Sequence, residues 1–410
     1  MHHLTAPEFL GLLAVVLLAA QLGAEAARRI GQPAVLGQLV AGVLLGKSAL
    51  GWWDPHQETW HLLAEFGVVI LLFEIGLETD LKQLLRVGGE AMAVAFVGVV
   101  LPLALGYGVC AAVQTTSVVA VFVGAALTAT SVGITARVLS ELGRLRDPEG
   151  QIILGAAILD DVIGLVILAV VTGLADGANL SPIGVASIAA VAFGFLIVTL
   201  IVGRFVVPWI GAALARVTSP GTAVTAGLVA AAALAWLADY TGSALIIGSF
   251  AAGLLLRETP QHAQIEHGVA NVGHFFVPIF FAGVGAAVDL SVFNPLLPNG
   301  GATLGLGALL IAVAIVGKFA AGYAPWWFRG RKAVIGAGMI PRGEVGLIFA
   351  QLGAAKGVLD ERLFGAVTLT VIVTTFLAPP LLKALLPARP QTSPTSSEGI
   401  EELVAGATKD

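Results

Sequence analysis

Charge is scarce in this sequence. Asp, Glu, Lys and Arg make up 11% of its 410 residues, against 57% hydrophobic residues and a mean hydropathy of +0.94. Soluble domains carry about 25% charged residues, so this scarcity excludes an ordinary water-soluble fold and leaves an all-α polytopic membrane protein. Cysteine is all but missing. Cys110 stands alone and cannot close an intrachain disulfide, which excludes a disulfide-stapled framework. Basic residues number 21 against 26 acidic ones, a net charge of -5 with no basic stripe, and this excludes a nucleic-acid partner. A phosphate-binding loop is missing too: Gly42-Val-Leu-Leu-Gly46-Lys47-Ser48 has the right ending, but Ala41 stands where the motif needs its first glycine. No other cofactor motif is present, and no cofactor is expected.

What the sequence does have is apolar length. Spanning a hydrocarbon core takes roughly 20 apolar residues, and the apolar runs can be counted as thirteen. They cover about 7–25, 33–50, 59–76, 88–112, 117–138, 150–173, 182–206, 222–238, 242–257, 269–288, 303–324, 332–354 and 362–387. The first run ends in Ala24-Glu25-Ala26, the small-x-small form of a signal cleavage site, yet no Lys or Arg precedes it and Arg28 and Arg29 follow it. A retained first helix with its N-terminus outside is therefore expected. That orientation places 16 of the 21 basic residues on the cytoplasmic side, as the positive-inside rule requires of an odd helix count. Trp52, Trp53, Trp60, Trp326 and Trp327 flank spans and are expected at the membrane interfaces. One transmembrane domain would thus occupy residues 1–390, followed by a polar, Pro/Ser-rich, disordered cytoplasmic tail at 391–410.

Spans five and twelve break their own pattern. The fifth contains Thr128-Ala-Thr130-Ser131, and the twelfth contains Pro341-Arg342-Gly343-Glu344, so each interrupts a helix near mid-membrane with hydroxyls, Gly or Pro. Freed backbone groups have no water there, and such breaks are tolerated only where protein buries them or a cavity lies beside them. The two breaks lie seven spans apart, an odd separation that makes their helices antiparallel, as an inverted repeat requires.

Asp160 and Asp161 sit about ten residues into span six, roughly 15 Å deep. Neighbouring helical residues project ~100° apart, so the two carboxylates face different partners. Lys318 in span eleven is the counter-charge at similar depth: one carboxylate pairs with it and the other takes a cation. A carboxylate at this depth is pulled towards protonation by desolvation and towards ionisation by a cation, so proton and cation compete for it. That competition is the minimum chemistry of proton-coupled cation exchange, with the titration shared across the Asp/Asp/Lys group. Arg342 and Glu344 are expected to neutralise the dipoles and loose backbone groups at the second break. Thr128, Thr130 and Ser131 either cap the half-helices or donate oxygen ligands. Glu74 and His274 read as residues near cytoplasmic helix ends that snorkel to the interface. An intramembrane aspartyl hydrolase is the distant alternative, but its two carboxylates must converge from separate helices, and adjacent residues diverge.

Gln32-Pro-Ala-Val-Leu-Gly37, Leu72-Phe-Glu-Ile-Gly76-Leu-Glu78-Thr79, Thr128-Ala-Thr130-Ser131-Val-Gly133-Ile-Thr135, Ile158-Leu-Asp160-Asp161-Val-Ile-Gly164 and Pro341-Arg342-Gly343-Glu344-Val-Gly346 occur in this order. Together they resemble the monovalent cation:proton antiporters of the second large family, specifically the bacterial NapA-type Na⁺/H⁺ antiporters. The resemblance implies an NhaA-like antiporter fold with inverted repeats and two crossing broken helices. It also implies a homodimer in lipid whose core helices (about 88–173 and 303–387) carry the ion in an elevator movement against dimerisation helices (about 7–50 and 182–257). By the same likeness Asp161 matches the residue that binds the transported Na⁺ or Li⁺, while Asp160 and Lys318 match a salt-bridged pair. The Asp-Asp form implies electrogenic exchange in a bacterial plasma membrane. Gln38, Lys47 and Glu74 depart from the family's pattern, and a K⁺/H⁺ antiporter on the same scaffold is the nearer alternative.

Overall fold

A computed structural model describes residues 5–175, 220–294 and 300–386, with scattered positions between 186 and 206; part of the seventh expected span and the tail at 391–410 lie outside the described residues. Every regular element among the described residues is helical. In order they are α1 (Ala6–Arg29), α2 (Ala34–Leu45), α3 (Glu58–Glu78), α4 (Leu81–Arg86), α5 (Gly88–Ala112), α6 (Ser117–Ala126), α7 (Val132–Glu141) and α8 (Pro148–Ala175). There follow α9 (Pro220–Tyr240), α10 (Leu245–Leu256), α11 (His262–Ala286), a 3-10 turn (Leu290–Phe293), α12 (Gly300–Ala321), α13 (Lys332–Gly338), α14 (Gly343–Ala355) and α15 (Glu361–Leu385). Seven of these, α1, α3, α5, α9, α11, α12 and α15, are long and apolar enough to cross a membrane. Shorter apolar helices, including α2, α6 and α10, pack among them.

Helix ends follow local chemistry. Thr5 and Glu8 form a capping box at the start of α1, and Asp360 accepts the Leu363 N–H at the start of α15. The second apolar run is longer than its helix. α2 stops at Leu45 because Gly46 turns extended and lies so close to α11 that a Cβ there would stand 2.5 Å from the Ala286 carbonyl oxygen.

Two packing groups result. The helices α1, α2 and α3 pack with α9, α10 and α11, whereas α5 to α8 pack with α12 to α15. The first group is held by glycine contacts that bring backbones together, the small-residue packing open to helices in lipid. A Cβ on Gly37 of α2 would lie 1.9 Å from the Gly23 carbonyl oxygen of α1, and one on Gly42 would lie 1.9 Å from that of Ala282 in α11. Backbone atoms cannot step aside as a side chain can. Gly37→Leu is therefore expected to push α1 off α2 and cost at least the ~1–3 kcal/mol of ordinary overpacking, read as a lower melting temperature in detergent.

Two expectations are corrected. Trp53 and Trp60 are each 1% exposed and meet edge to face at 5.4 Å, with Phe9 against Trp60, so they are core residues, and of the five tryptophans expected at the interfaces Trp52, Trp326 and Trp327 lie open. Nor is His274 near a helix end. α11 begins at His262, earlier than the apolar run, because its first turns are polar yet helical and carry a His262–Glu266 pair at i,i+4; His274 sits about 18 Å further along.

Candidate functional site

The two interrupted helices meet at their gaps. Each of α6 and α7 is ten residues long, about 15 Å, and residues 127–131 between them are not helical. Between α13 and α14 the chain opens at 339–342, where Pro341 brings no N–H and Gly343 takes a φ of +54°. Glycine is needed there twice over, since a Cβ would also stand 2.5 Å from Ser131 Oγ.

Loose backbone groups at each gap are satisfied by the other. The Ser131 N–H donates to the Pro341 carbonyl at 2.8 Å, Thr135 Oγ1 donates to the Gly338 carbonyl at 2.7 Å and Thr130 Oγ1 to that of Met339 at 3.4 Å. Arg342 works in the reverse direction. Its Nη1 donates to the Ala129 carbonyl at 2.7 Å and that of Thr128 at 3.4 Å, and its Nη2 reaches Ala314 in α12 at 3.5 Å. The guanidinium is fully buried, so a cation stands at the carbonyl end of α6 where the helix dipole is negative. The Gly343 N–H, at the start of α14, donates to Thr375 Oγ1 of α15 at 3.2 Å.

Beside this crossing runs α8 with Asp160 and Asp161. Lys318 Nζ of α12 donates to Asp160 Oδ2 at 2.9 Å, with Lys318 wholly buried and Asp160 2% exposed. Gly98 of α5 faces the ammonium, and a Cβ there would stand 3.5 Å from Lys318 Nζ, in ordinary contact with it. Asp161, one residue on, is partly exposed. Lys318 lies within electrostatic range of Asp160, Asp161 and Arg342, and Arg342 within range of Asp160, so two acidic and two basic groups share one low-dielectric region.

The hydroxyls divide. Thr128 Oγ1 donates to its own helix at the Ala125 carbonyl, 2.7 Å away, and Thr130 is used across the crossing. Ser131 Oγ and Asp160 Oδ1 are both buried and have no hydrogen-bond partner among the described residues, which leaves two oxygen acceptors open there. The backbone of Glu344 lies in α14, but its side chain falls outside the described residues. Thr135 and Thr375 are contributors that the sequence reading passes over. A signal existed, because Thr368, Thr370, Thr374 and Thr375 crowd an otherwise apolar helix, and hydroxyls in such a helix need partners.

Comparison with known proteins follows the same lines. Residues 13–388 match the family described as sodium/hydrogen exchanger, transmembrane. The chain is 41% identical over 408 residues to the high-affinity Na⁺/H⁺ antiporter NhaS3 of Synechocystis, covering 91% of this chain and 88% of that one. It is 33% identical over 383 residues to a Na⁺/H⁺ antiporter of Enterococcus hirae, covering 92% and 97%. Its fold is similar to that of the sodium proton antiporter MjNhaP1 of Methanocaldococcus jannaschii, with a TM-score of 0.67 at 16% identity over 96% and 97% of the two chains.

Proposed function

The chain belongs to the sodium/hydrogen exchanger family of multi-pass membrane transporters, not to an enzyme family, and on that premise we propose an electrogenic exchange of Na⁺ or Li⁺ for H⁺ centred on Asp161. The observation that carries this reading is the sealed Asp160–Lys318 pair at 2.9 Å beside a partly exposed Asp161. Asp160 is committed to the lysine, whereas the partly exposed Asp161 is the carboxylate that a proton or a cation would reach. Ser131 Oγ and Asp160 Oδ1 are the buried oxygens available to complete a cation's shell, and Thr128 and Thr130 hold the gap in shape rather than ligate. Arg342 is the fixed charge that holds the α6 end, and Glu344 supports the second break.

The wider architecture belongs to the same reading. Thirteen spans with the N-terminus outside and the C-terminus cytoplasmic would make the two broken helices an inverted pair, and the packing of α5–α8 with α12–α15 supports a core that moves as one body. The other packing group would then be the scaffold through which two copies dimerise in a bacterial plasma membrane. Ion movement follows alternating access: Na⁺ binds where Asp161 is ionised, protons displace it, and the loaded core crosses between two states.

The test is a proteoliposome with a preset pH gradient and a pH-sensitive dye. Na⁺ and Li⁺ are expected to collapse the gradient, and K⁺ at the same concentration is not. A response to K⁺ alone would replace this reading with K⁺/H⁺ exchange. Rapid Na⁺ jumps on a supported membrane should evoke a transient current, and a current-free Na⁺ response would make the exchange electroneutral.

A further inference from the structure

A cavity of about 340 Å³ opens where the turn after α1 meets the ends of α7 and α15, and Arg28, Gly31, Gln32, Arg137, Glu141 and Lys383 line it. Three cations face one carboxylate. That carboxylate is already engaged, since Glu141 accepts the Ala34 N–H of α2 at 2.8 Å and Arg137 Nε at 3.2 Å. Among the described residues Arg28 is paired with Glu25 alone, at 3.3 Å, in a pair about half exposed on both sides and therefore weak. Lys383 has no ion pair or hydrogen bond among the described residues, although its Nζ packs over the turn, 3.1 Å from where a Cβ on Gly31 would stand. Gly31 has a φ of +71°, so the turn itself needs glycine. Gln32 adds a buried carboxamide oxygen without a hydrogen-bond partner among the described residues.

This chemistry does not suit a path for Na⁺, which the net positive lining repels, so the ion-exchange reading leaves the cavity unused. We propose that it binds a phosphate-bearing anion, with the phosphodiester headgroup of an anionic lipid as the natural source. Lys383 and Arg28 would take the phosphate oxygens as charge-assisted donors, and Gln32 would meet a headgroup hydroxyl. Basic pockets between transmembrane helices on the cytoplasmic side are suited to such headgroups, and the orientation proposed above puts this cavity there. The ligand would bridge the turn after α1 in one packing group and α7 and α15 in the other, so occupancy stabilises the arrangement seen here.

The full-length protein, purified in detergent, is titrated with phosphatidylglycerol, phosphatidylcholine or inorganic phosphate while its melting temperature is followed. Phosphatidylglycerol is expected to raise it and phosphatidylcholine to leave it unchanged. Arg28→Gln and Lys383→Gln should each weaken the apparent phosphatidylglycerol affinity roughly five-fold, with melting in phosphatidylcholine unaltered as the folding control. A full shift with inorganic phosphate alone supports the cavity and makes its ligand a soluble phosphate. Equal titrations for wild type and both variants, or no shift with either anion, overturn the proposal. The readout is binding, so it stands or falls separately from ion exchange.

Discussion

Asp161→Asn is expected to reduce Na⁺-driven proton movement in proteoliposomes to the level of protein-free vesicles, with the melting temperature held or raised. The two halves of this result come from one physical source. Asparagine keeps the size of the side chain but can neither bind a proton in the working pH range nor present an anionic oxygen to a cation, so both competing reactions vanish together. Stability should not suffer, because an ionised carboxylate within a membrane span costs at least ~2.5 kcal/mol even on the most lenient insertion scale and the amide removes that cost. Asp160→Asn gives the contrast: it leaves the wholly buried Lys318 ammonium without its 2.9 Å partner and should lower the melting temperature. Wild-type exchange rates in Asp161→Asn would remove Asp161 from the site.

The charged residues were the legible part of the sequence, and the reason is energetic. A charge at mid-membrane is expensive enough that Asp160 and Lys318 had to find each other, and Pro341 with Gly343 had to mark a break. Hydropathy carries far less. In water it separates inside from outside, but lipid is as apolar as the protein interior, so in a membrane it cannot. The helices α1 and α15 show this: their best windows have mean hydropathies of 2.0 and 1.8, yet 17% of one and 72% of the other is buried. Trp53 and Trp60 were misplaced for the same reason. Apolar runs also overshoot helix ends such as Leu45, where a backbone contact with Ala286 decides the boundary, and undershoot polar starts such as His262.

The hydroxyls were illegible for a different reason. Whether Thr128, Thr130 or Ser131 serves the backbone or stands open depends on which carbonyls the other half of the molecule brings within ~3 Å, and Met339 and Gly338 are some 200 residues away in sequence. Arg342 could be foreseen as a counter-charge to a helix end. Its actual partners, the carbonyls of Thr128, Ala129 and Ala314, follow only from the crossing.

Lys318→Met should destabilise the protein by about 3–5 kcal/mol, because it strands an ionised Asp160 in a sealed site. The loss is chiefly a penalty on what remains, not the worth of the bond. Adding Asp160→Asn to Lys318→Met is therefore expected to restore most of the lost melting temperature, a coupling that a double-mutant cycle measures directly. Equal melting of the single and double variants would mean that Asp160 had another means of neutralisation. The same pair bears on stoichiometry. If Lys318 releases its proton as the cation arrives, the double variant still exchanges through Asp161 but moves fewer protons per Na⁺, and its Na⁺-evoked current falls relative to its dye response. An unchanged ratio of current to dye response would confine the lysine to bracing α8 against α12, and the additional proton of an electrogenic cycle would then have to ride on a group other than Lys318 or Asp160.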